Sequence, residues 1–127
     1  MILDTYLQVA DAQAMTGAAG TINATDHIDT GAVVRDLGQG QTLYAVISII
    51  TAPTTADSCK FQVVSDATTT IATDGSASLH VATDDIVVAD LTAGTKIVLA
   101  LPQENAVPYE RYLTVQQVNV GAGALAA

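Results

Sequence analysis

Lys96-Ile-Val-Leu-Ala-Leu-Pro102, a polar connection, and then Arg111-Tyr-Leu-Thr-Val-Gln-Gln-Val-Asn-Val120 form the stretch whose reading decides the fold. Ile97 to Leu101 is unbroken apolar sequence, opened by Thr92-Ala-Gly-Thr95 and closed by a proline. That pattern predicts a strand covered on both faces. In the next segment Leu113 and Val115 share one face, whereas Val118 and Val120 fall on the other. A β-bulge at Gln116-Gln117 would restore a single apolar face. The connection from Gln103 to Glu110, directly after Pro102, holds Pro108 and the only two glutamates, and no helical period. Two long strands joined by a loop are therefore expected at the centre of an all-β domain.

Working outward, the run Thr42 to Thr51 is apolar at nearly every position and rich in β-branched residues, which predicts a second strand buried on both faces. Lys60 to Ser65 reads as a strand with Phe61 and Val63 facing in. Thr68 to Thr73, Leu79 with Val81, and Ile86 to Val88 read as shorter strands, with Asp74-Gly75 as the strongest hairpin turn. Toward the N-terminus, Ile22, Ala24 and Ile28 keep one parity of a half-exposed strand, and Val33 to Leu37 runs into the turn Gly38-Gln-Gly40. Met1 to Val9 is an apolar arm or first strand carrying Ile2, Leu3, Tyr6 and Leu7. Ala10 to Met15 is too short for a stable helix and reads as mostly extended. Gly121 to Ala127 is a last edge strand or a tail. Short strands at spacings of roughly 8–12 residues, without a helix longer than a turn, predict an antiparallel β-sandwich of jelly-roll type, with a barrel as the competing closure.

The chain has 127 residues, enough for one domain spanning 1–127 with an arm at about 1–15. Half of it is hydrophobic and 13% charged, a globular composition. Aromatics are only 4% and Trp is absent, so the core must be built from Val, Ile, Leu and Ala. The net charge of -9 repels phosphate, and the four cations Arg35, Lys60, Lys96 and Arg111 make no basic stripe, so no nucleic-acid partner is expected. Residues 1–20 lack a cationic region followed by an apolar run, and no apolar run nears roughly 18 residues, so neither a signal peptide nor a membrane span is expected.

Candidate chemistry is sparse. His27 and Asp29 share a strand face at a spacing that suits a metal, but two ligands without a second histidine cluster are too few. Asp84, Asp85 and Asp90 lack the spaced oxygen donors of a calcium loop. His80 has no nucleophile elbow to serve, Gly38-Gln-Gly40 is followed by neither helix nor lysine, and Cys59 reads as a small core residue. Asn23-Ala-Thr25 matches a glycosylation acceptor without a secretion signal to give it meaning. The sequence therefore points to a non-enzymatic protein with no cofactor and no metal. Its functional surface is weakly charged, with Tyr6, Tyr44, Tyr109 and Tyr112 as amphipathic contact residues.

Met1-Ile-Leu-Asp4, Asp11-Ala-Gln-Ala14, Asp36-Leu-Gly-Gln-Gly40 leading into Leu43-Tyr-Ala-Val46, Leu91-Thr-Ala-Gly94 before Leu99-Ala-Leu-Pro102, and Glu110-Arg-Tyr-Leu113 together resemble the jelly-roll capsid cement, or decoration, proteins of short-tailed double-stranded DNA bacteriophages. The resemblance runs in order over nearly the whole chain. It implies a homodimer on the outer surface of the phage head, tying together neighbouring copies of the major capsid protein in a virion assembled in the host cytoplasm. The contact residues expected on that basis are Ile2, Leu3 and Tyr6 of the arm with Tyr109, Arg111 and Tyr112. A carbohydrate-binding β-sandwich of a phage tail or surface protein is the alternative, for which exposed Tyr would have to stack sugars in place of Trp.

Overall fold

Alternating apolar residues dominate the longest strands, and they fold as two antiparallel sheets facing one another in a computed structural model. It describes residues 7–14, 19–35, 42–52, 58–102 and 107–120, and the backbone alone for 32–35. The strands are β1 (Gly20–Asn23), β2 (Ile28–Arg35), β3 (Tyr44–Ser48), β4 (Ser58–Asp66), β5 (Ser78–Ala82), β6 (Ile86–Val87), β7 (Lys96–Ala100) and β8 (Tyr109–Val120). Among the described residues the helical elements are single 3-10 turns, one of them at Val88–Asp90. The architecture is an all-β sandwich compatible with a jelly roll.

The large sheet is built on β8 and β4, which pair without a register break from Ser58 opposite Val120 to Asp66 opposite Tyr112. On the far edge of β8, β1 pairs with its second half and β2 with its first. On the far edge of β4 lie β5 and then β6. The second sheet is β3 paired with β7, from Tyr44 opposite Ala100 to Ser48 opposite Lys96. Its entry is fixed by the turn Thr92–Thr95, where Gly94 takes a φ of +91° that a side chain would resist.

The uninterrupted β4–β8 ladder overturns the expected bulge at Gln116-Gln117. Gln117 and Asn119 simply face inward on β8 beside Val115, and their polarity is met by a hydrogen bond from Gln117 Nε2 to Asn119 Oδ1 at 2.8 Å. The two central strands of the sequence reading are also not neighbours: β7 belongs to the small sheet and β8 to the large one. Pro102 follows β7 and Pro108 precedes β8, where the chain leaves one sheet and enters the other.

Between the sheets, Val63, Leu99, Leu101, Tyr109 and Leu113 form one buried cluster, and Cys59, Phe61 and Leu91 another. Ile47 and Ile97 of the small sheet bridge the two. Phe61 and Val63 face in as expected. Thr68 to Thr73 is not a strand. The Asp66 carboxylate accepts hydrogen bonds from the Thr68 and Ala72 amides at 3.2 and 3.0 Å and folds the segment into a loop. That loop plants Ile71 on the outer face of the large sheet, where Gln116 donates to Asn23 Oδ1 (2.7 Å) and Ala72 O (2.8 Å) and accepts from Gln62 Nε2 (2.8 Å). Asn23 in turn donates to Ile71 O at 2.8 Å. The large sheet is thus closed on both sides, by apolar packing inside and a satisfied polar network outside.

Candidate functional site

Several of the residues that could carry chemistry are held by one another. The Asp29 carboxylate takes both arms of the Arg111 guanidinium at 2.8 and 2.9 Å and the Gly31 amide at 2.8 Å. These bonds hold its pKa down at about 2 and raise that of Arg111. His27 lies edge-on to the Tyr112 ring at 5.1 Å, and Arg111 sits 5.2 Å from the same ring. Among the described residues no group of three or more His, Cys, Asp or Glu side chains converges as a metal site would require. Ser65 and His80 are hydrogen-bonded at 2.6 Å, but Ser65 is wholly buried in the β4–β8 ladder, where no substrate reaches it. Cys59 is also wholly buried, and that burial pushes its thiol up to about 11, far from a reactive thiolate.

The outer face of the small sheet is the other candidate. In the small sheet, Ala45, Ile47, Ile97 and Leu99 point to the core, so the cross-strand pairs Tyr44–Ala100, Val46–Val98 and Ser48–Lys96 point out. Tyr44 is 59% exposed and Val98 57%, flanked by exposed Leu43 and Ile50. The expected burial of both faces in these two strands is therefore corrected: one face of each is covered. Among the described residues the small sheet has two strands against four rows in the large one. Lys96 is the single charged residue in the two strands. Beside it, an apolar cavity of about 760 Å³ opens between β3 and the segment Leu7–Ala14, with Phe61, Val63, Leu113 and Val115 on its floor. A smaller, polar recess of about 300 Å³ lies at Asn23–His27 and Thr69–Ile71.

The six expected contact residues separate. Ile2, Leu3 and Tyr6 lie outside the described residues. Tyr109 is not a surface residue: it is 1% exposed, packed in the core, with its hydroxyl donating to Pro102 O at 2.6 Å. It opens β8 and packs with Leu113, Leu99 and Leu101 between the sheets, which takes it away from the surface. Arg111 and Tyr112 are half-exposed neighbours on β8. The apolar patch of Tyr44, Val46 and Val98 was hidden by its own hydrophobicity, because an apolar run reads the same whether a neighbour or a partner covers it.

A family model described as Bbp16 matches residues 9–127. No curated protein matches the chain.

Proposed function

Because the chain belongs to the Bbp16 family, a phage-associated family, we propose that it is a structural virion protein: a cement subunit on the outer surface of the phage head. In this reading it works without catalysis, as a homodimer that ties neighbouring major capsid proteins together. The observation that carries the proposal is the outward face of β3 and β7, a contiguous set of exposed Tyr, Val and Ala side chains with one lysine. Exposed apolar patches of this kind mark contact with other macromolecules. A net charge of -9 favours the outside of a shell over the side facing packaged DNA. Contacts that are individually modest, on the order of 1,000 Å², add through effective concentration when one dimer spans several capsid subunits.

The consequence is a preference for assembled capsid, because the full site exists only where subunits meet. Purified protein is mixed with expanded empty capsids and, separately, with unassembled capsid protein, and bound material is separated by sedimentation. Saturable binding to capsids alone is the expected result, and Val98→Glu should abolish it. Equal binding to both forms, or undiminished binding by the variant, removes the proposal.

A further inference from the structure

Pairing between β4 and β5 slips by one residue: Val63 faces Val81, but Val64 faces Leu79, and His80 is the residue left over. Such a bulge redirects a side chain. Here it drives the imidazole inward, to 8% exposure, where it stacks on the Tyr109 ring at 3.9 Å with the planes 21° apart. Its Nε2 lies 2.6 Å from Ser65 Oγ, which also accepts the Glu110 backbone amide at 2.9 Å. Glu110 in turn accepts a hydrogen bond from Ser78 Oγ at 2.6 Å. One cluster therefore fastens β5, through Ser78 and His80, to both β4 and β8. The imidazole Nδ1 is buried there with no partner among the described residues.

The proton arrangement at neutral pH follows from these contacts. Ser65 Oγ receives the Glu110 N–H, so its own hydroxyl proton is free to be donated to His80 Nε2, and the neutral ring carries its proton on Nδ1. A second proton must enter at Nε2. The ring then no longer accepts from Ser65, whose hydroxyl loses its acceptor inside the β4–β8 ladder. The charge also has little water to solvate it. Among the described residues, the charged and titratable groups around the ring are few. Glu110 and the Tyr109 face favour the cation. Asp66 on β4 is turned to its loop, β5 has no other titratable residue, and β7, packed nearby, brings only exposed Lys96.

We propose that the Ser65–His80–Tyr109–Glu110 cluster is an acid-sensitive latch that holds β5 on the sandwich when His80 is neutral and loosens that edge when it is protonated. Burial outweighs the pull of Glu110 and keeps the imidazole below its ordinary value of 6.5. A depressed folded-state value means that the latch is fully closed above pH 6.5. Its contribution is then lost as the pH falls from 6.5 toward the folded-state midpoint, up to tenfold in the folding equilibrium per pH unit.

The test uses the full chain. The His80 ring resonance, followed by NMR, should titrate below pH 6.5. Amide exchange, corrected for its intrinsic pH dependence, should accelerate in Ser78–Ala82 relative to Gly20–Asn23 on going from pH 7.5 to 5.5. The urea midpoint of the wild type should fall more steeply over that range than that of His80→Gln. A His80 midpoint at or above 6.5, equal acceleration in both strands, or a wild-type slope retained by His80→Gln would each overturn the latch. The first two measurements need no variant and stand even if His80→Gln does not fold.

Discussion

The β4–β8 ladder and the β3–β7 ladder are both antiparallel and both central in the sequence, yet they solve opposite problems. β8 contains Gln116, Gln117 and Asn119, all nearly inaccessible, and is covered on both faces. β3 and β7 are the most continuously apolar strands in the chain, and each leaves one face to solvent with Tyr44 and Val98 more than half exposed. Hydrophobicity therefore does not rank these strands by depth. A buried amide is tolerable where its hydrogen bonds are met, and an exposed valine is uninformative alone but not as part of a contiguous patch. The layer that holds the fold together is the more polar one, and the apolar excess lies where another surface can use it.

The largest expected effect separates the two ladders directly. Phe61→Ala removes a ring from the inner face of β4 and should cost about 3–5 kcal/mol in urea unfolding. Val98→Ala on the outer face of β7 should stay within about 0.5 kcal/mol in the same measurement. If Val98→Ala costs as much as Phe61→Ala, the small sheet is covered in the isolated chain and the contrast fails. An intermediate effect is expected from Gln116→Ala. The truncation leaves Asn23 Oδ1, Ala72 O and Gln62 Nε2 without the partner that the amide gives them, a loss of about 1–3 kcal/mol. A negligible loss would mean that water replaces the amide and that the outer face of the large sheet is open.

Much of this arrangement is legible in the chain, and the missed parts have identifiable causes. Strand identity at β3, β4, β5 and β7 follows from β-branched runs and parity, and so does the inward direction of Phe61 and Val63. Layer assignment does not, because periodicity reports which residues share a face and not what lies over it. The same ambiguity produced the expected bulge in β8. Parity alone calls for an apolar residue at every inward position, whereas Gln117 and Asn119 occupy two of them, joined by a hydrogen bond. Thr68 to Thr73 has the composition of a strand, but Asp66 captures its amides. Of the expected contact residues, Arg111 and Tyr112 are half-exposed, while Tyr109 is spent on the core. The His80 cluster left no sequence signal, because a one-residue slip in β5 assembles it from three strands.

The smallest effect fixes where the closed layer ends. Arg111 follows the buried Tyr109 on the same strand by two residues, and its guanidinium is held by Asp29 of β2 in an exposed pair. The Arg111 bond is the main reason that the Asp29 carboxyl stays at about 2 instead of 3.8, with the Gly31 amide contributing less. Since the folded value is depressed, the pair stabilises the fold fully above pH 3.8, and the effect fades as the pH falls toward 2. Solvent screens an exposed pair, so Arg111→Ala should hardly move the unfolding midpoint at neutral pH, and less still at high salt. The clear readout is the carboxyl itself: its NMR titration should move upward in Arg111→Ala and stop short of 3.8, because the Gly31 bond remains. A wild-type midpoint already at 3.8 would mean that β2 and β8 are not tied there. β8 would still be held there by its pairing with β4 at Tyr112 and by the buried Tyr109, and only the Arg111 side chain would be released from β2.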